Sequence, residues 1–145
     1  MRGKKPATSF STKLFQERLK KVDSAIKKED WFSAFANIVT YFEHYGYWAI
    51  TFHCLRRKVD LTKKARESLK RLGASDVAMM LRILNIITNK EYSMIKKTIE
   101  ERNKIVHPGQ KGIRYIESKK KEEASKLLNE AKECLKKIQK FRGET

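Results

Sequence analysis

The chain has 145 residues, enough for one hydrophobic core and too few for two independently stable domains. Its apolar fraction of 40% excludes a disordered polyelectrolyte. With 34 basic and 17 acidic residues the formal charge is +17. Such an excess goes with a polyanionic partner, nucleic acid or an acidic membrane surface, or else with a generally lysine-rich proteome.

Apolar residues recur at three and four along the chain, and Gly and Pro are scarce. That periodicity predicts an all-α, up-and-down bundle of four to six helices, a single domain over 1–145 with its core in about 10–142 and basic termini that fray. A first helix is expected from Ser11 to Lys28, with Phe15, Leu19, Val22 and Ile26 on one stripe. Lys28-Glu29-Asp30 breaks it, and Asp30 can N-cap the next. The second helix, Trp31 to about Leu55, is apolar on most of its circumference. Its length suggests a membrane span, but Asn37, Glu43, His44 and His53 interrupt it, and ionisable groups are costly in lipid. No membrane partner is therefore expected. A helix apolar all round is instead the centre of a bundle or one face of a dimer, so a homodimer is expected.

Asp60 or Thr62 can cap a short helix closing at Gly73, and Ser75 the helix after it, where Val77, Met80, Leu81, Leu84 and Ile87 keep helical spacing. Another helix starts near Asn89 and carries Tyr92, Ile95, Ile99, Arg102 and Val106. Pro108-Gly109 must end it near His107. The last helix, about Glu117 to Phe141, has Ala124, Leu128, Ala131, Leu135 and Ile138 on a heptad-like stripe. A helix-turn-helix around Gly73 lacks base-reading side chains, because its second helix opens Asp76-Val77-Ala78-Met79-Met80-Leu81.

Cys54 and Cys134 lie far apart in apolar helical patterns, which makes them small core residues. Their low number fits a reducing, cytoplasmic setting, and no apolar signal core follows the basic N-terminus. His44 and His53, about 13 Å apart along one helix, make no metal site, and no cofactor motif is present.

The stretch with chemical content is Arg102-Asn103-Lys104-Ile105-Val106-His107. Asn103 and His107 are i and i+4, and Arg102 lies about 100° around the axis, so all three converge on one arc where the helix stops. Histidine is the acid–base group for neutral pH, arginine grips phosphate oxygens bidentately, and an amide orients either partner. Set against this, Arg102 could snorkel to the rim or pair with a glutamate such as Glu43. Lys104, and Lys111 and Arg114 just beyond the motif, are candidates for RNA contact. The lysines of the last helix alternate with glutamates and read mainly as a solvated face.

This stretch resembles the Arg-x4-His motif of HEPN domains (higher eukaryotes and prokaryotes nucleotide-binding), and also the nuclease motif of the kinase-extension ribonucleases. The resemblance implies a helical bundle and a dimer whose two motifs face one cleft. It also implies metal-independent endoribonuclease activity of the kind found in toxin–antitoxin, CRISPR or antiviral systems. His107 would be the acid–base residue, Arg102 would stabilise the phosphate, and Asn103 and Glu43 would support them. An antitoxin or a nucleotidyltransferase is an implied partner. In the nucleotidyltransferase-paired subgroup a Tyr stands two residues after the His, where this chain has Gly109. The second function class is a non-catalytic basic helical module that binds nucleic acid or a protein.

Overall fold

The structure is a computed structural model that describes residues 12–106 and 118–143. It contains six helices and no strand among the described residues: α1 (Thr12–Lys27), α2 (Trp31–Arg56), α3 (Lys63–Lys70), α4 (Ala74–Ile83), α5 (Asn89–Val106) and α6 (Ser118–Lys140). The four long helices alternate in direction. Asp23 of α1 pairs with Lys132 of α6, Glu29 just before α2 with Lys121, and Glu91 at the start of α5 with Lys137 near the end of α6. Arg57 Nη1 donates to Gly143 O at 3.5 Å, joining the far ends of α2 and α6. Thus α2 and α6 run one way, α1 and α5 the other, and the short α3 and α4 make the return between α2 and α5.

α2 packs against each of the other five helices. Fourteen of its residues are buried, Phe35, Ile38, Phe42 and Ile50 almost completely. Each such side chain contributes roughly 1.5–3 kcal/mol on leaving water. Most of the apolar circumference of α2 is therefore buried within one chain, while Phe32 and Leu55 stay exposed. The position of a central helix thus accounts for most of that circumference. The stripes facing α2 largely follow the sequence pattern: Phe15, Leu19 and Val22 on α1, Ile95 and Ile99 on α5, and Leu128, Ala131, Leu135 and Ile138 on α6 are buried, whereas at the end of α1 Ala25 is buried and Ile26 only partly so. Cys134 is buried in the same core and Cys54 is half-buried. Burial pushes the Cys134 thiol up to about 12. Among the described residues, no helix is long and apolar enough to cross a membrane.

Helix ends show where side-chain chemistry agrees with the sequence and where packing overrides it. Asp30 caps α2, its Oδ1 accepting from Ser33 N at 3.2 Å, and Thr62 caps α3 through Ala65 N at 3.1 Å. Gly73 does not close α3. α3 ends at Lys70, and Gly73 has an extended backbone at the N-cap of α4. Ser75 is inside α4 rather than capping it. The buried stripe Ala74, Val77, Ala78 and Leu81 sets this register, because α4 must begin at Ala74 to lay all four against α2. α4 also stops at Ile83, before Leu84 and Ile87 can continue it. Thr88 and Glu91 then form a reciprocal capping box (Thr88 N to Glu91 Oε1 2.8 Å, Glu91 N to Thr88 Oγ1 3.1 Å) that starts α5.

Candidate functional site

α5 carries the motif to the end of the bundle. Ile95 and Ile99 fill the core side of its stripe, and Thr98, fully buried, satisfies its hydroxyl on Met94 O at 2.8 Å. Arg102 is one turn past Ile99 and half-buried, and Ile105 beyond it still packs against the core. Its Nε donates to Asn103 Oδ1 at 2.9 Å. An amide accepting at Nε fixes the plane of the guanidinium and leaves the Nη1–Nη2 edge, whose spacing matches two phosphate oxygens. Among the described residues Arg102 has no carboxylate partner. Lys104 is exposed and its Nζ lies 3.0 Å from Oε2 of Glu101, whose side chain is mostly buried.

Two of the expected site residues are thus brought together, Arg102 with Asn103, with Lys104 beside them. His107, Lys111 and Arg114 lie outside the described residues. Glu43 is not brought to Arg102. The ion-pair register places the end of α5 level with the start of α2 and α6, whereas Glu43 is about 18 Å further along α2 from Trp31. Glu43 instead lines a groove of about 360 Å³ between α2 and α3, with His44, Tyr47 and Lys70. Lys70 Nζ sits 5.6 Å from the Tyr47 ring centroid.

The two described histidines are structural in their surroundings. His53 is buried and stacks on Phe141, with 6.4 Å between ring centroids. Burial, reinforced by Arg57, holds it below its ordinary pKa. His44 is half-buried edge-on to Tyr45, and burial together with nearby Arg18 holds it low as well. No group of His, Cys, Asp and Glu among the described residues could hold a metal ion.

Sequence reasoning missed the bond between Arg102 and Asn103. Adjacent helical residues point about 100° apart, so spacing does not suggest contact, and only the length and planarity of the arginine allow it. Comparison of the chain with protein-family models, curated proteins and solved structures gave no match.

Proposed function

We propose that the chain is a metal-independent endoribonuclease of the HEPN type, acting on single-stranded RNA as a homodimer in which two Arg102–His107 motifs face one cleft. The observation that carries this is Arg102 near the end of α5, its Nε held by Asn103 and its Nη edge without a carboxylate among the described residues. The Arg-x4-His resemblance and the charge of +17 support it. In this reaction the ribose 2′-oxygen attacks the adjacent phosphorus and the bond from phosphorus to the 5′-oxygen breaks. Imidazole accepts the 2′-OH proton, and a proton is returned to the leaving 5′-oxygen. The guanidinium stabilises the extra charge on the phosphoryl oxygens. The products are a 2′,3′-cyclic phosphate and a 5′-hydroxyl.

The test is incubation of the purified protein with mixed RNA in EDTA, with end-group analysis of the fragments. His107→Ala is expected to lose at least ~10²-fold in rate, the lower range for losing a proton-transfer group. Arg102→Lys is expected to be strongly impaired, since lysine has no fork. Single-stranded DNA binds but stays whole, and the active sample weighs as two chains by light scattering. Activity that EDTA abolishes, or cleavage of DNA, overturns the mechanism. RNA that stays whole while binding persists assigns the chain to the non-catalytic binding class.

A further inference from the structure

Three surface grooves among the described residues differ in the ligand chemistry they offer. The groove between α2 and α3 sets Glu43 against Lys70. The groove between α5 and α6, about 430 Å³, sets Glu123 and Glu130 against Lys97 and Lys126. The third, about 460 Å³, lies between the first turn of α1 and the last turns of α6. Its polar lining is Thr12, Gln16, Lys136, Gln139, Lys140 and Arg142, so of the three it alone is lined without a carboxylate. Every one of these side chains can donate a hydrogen bond.

Two features show that this lining is held in place. Gln139 is only 8% exposed, a buried amide at the edge of the groove. Arg142 lies over the Phe52 ring, 5.2 Å from its centroid, and Nη1 donates to the carbonyl of Phe141 at 2.8 Å. Lys136 is shared with Glu133 outside the lining, Nζ to Oε2 2.8 Å. Lys136, then Lys132 and Lys140, hold the Glu133 carboxyl below its ordinary range. An i,i+3 surface pair is worth a few tenths of a kcal/mol at most, so a phosphate displaces it readily.

The geometry points to a second, non-catalytic contact for the phosphodiester backbone of single-stranded nucleic acid in the α1–α6 groove, at the opposite end of the bundle from Arg102. Glu91 pairs with Lys137, Arg102 lies eleven residues along α5 from Glu91, and Lys140 lies three residues beyond Lys137 in the other direction, so the two are about 20 Å apart along the bundle at 1.5 Å per residue. A strand engaged at both ends must run the length of the α6 side, so affinity rises with strand length until it spans that distance. The inference rests on the RNA reading for the identity of the polyanion, and concerns binding rather than cleavage.

The test measures binding of 2′-O-methyl oligonucleotides, which lack the attacking 2′-OH, so failure of cleavage and failure of the groove are read separately. Lys136→Gln with Lys140→Gln is expected to weaken a long strand about tenfold near 0.1 M salt. It should also reduce the log–log salt slope by ~1.4, at about 0.7 per single-strand phosphate contact. Lys63→Gln with Lys64→Gln removes the same charge from exposed positions on α3, outside the groove and off the α6 side, and is expected to leave the slope unchanged. Lys140→Gln alone changes one exposed side chain and should give half the slope change, which keeps the test valid if the double variant folds poorly. Equal losses for both pairs would reduce the effect to net charge and overturn the inference. So would unchanged strand binding, or a loss confined to phosphatidylserine vesicles.

Discussion

Single residues hold the turns of this molecule under measurable strain. Glu29, Lys58 and Asn85 have φ values of 57°, 59° and 63°, the left-handed region that glycine occupies without cost. Each follows a helix end closed by a bond from the next amide to a carbonyl five residues back: Asp30 N to Ala25 O at 2.8 Å, Val59 N to Cys54 O at 2.9 Å, Ile86 N to Leu81 O at 2.9 Å. Asparagine tolerates this conformation, whereas lysine and glutamate do so less well. Lys58 is exposed, so Lys58→Gly removes the strain and little else. It is expected to raise unfolding stability by about 1 kcal/mol, with a smaller gain for Asn85→Gly, as urea titration will show. A loss of stability for Lys58→Gly would mean that its side chain does more than occupy the turn.

At the scale of elements, the approach of α4 to α2 depends on Gly46. A Cβ at this position would run into Val77 Cγ1 and come within 3.4 Å of Leu81 Cδ1. Glycine in mid-helix costs up to about 1 kcal/mol of propensity, which close helix packing offsets here. Gly46→Ala gains that propensity but overpacks a buried contact, at a cost of roughly 1–3 kcal/mol. A net loss of up to ~2 kcal/mol is expected, partly restored when Val77→Ala is added. Additive effects in that double-mutant cycle would contradict the contact. Gly46 lies within an apolar run where the pattern predicts a long helix, and nothing in that pattern reveals which neighbour comes closest.

For the whole molecule, pH provides the sharpest test of the packing around α2. His44 and His53 are both held low, chiefly by burial, with Arg18 and Arg57 adding to the effect. Below about pH 6.5 the unfolded chain binds protons that the folded chain refuses, so stability falls as the pH drops from 7 towards 5. Glu91 acts in a lower window. Burial alone would raise its pKa, but Lys137 and Thr88 outweigh it and hold the carboxyl low. That contribution is present above the ordinary carboxylate range and is lost as pH falls through it. The expected result is a decline between pH 7 and 5 that flattens in the double variant His44→Gln, His53→Gln, whatever its stability at pH 7. An unchanged slope in thermal melts across this range would assign the decline to the charge of +17 instead.

What the sequence determined by itself is periodic or local. The spacing of Phe15, Leu19 and Val22, or of Leu128, Ala131 and Leu135, specifies helix and buried face together, because both follow from 3.6 residues per turn. The caps Asp30 and Thr62 were legible for the same reason, since their partners are three residues away. The candidate Arg102, Asn103 and Lys104 could be placed on one helix end because helix geometry relates them. Only the tertiary structure decided the contacts between distant segments. It surrounded α2 with five helices of its own chain, kept Glu43 more than about 10 Å along the bundle from the level of Arg102, and brought Thr12 and Gln16 to Gln139 and Lys140. These choices depend on which apolar faces bury each other best, a sum over the whole core that no local spacing contains.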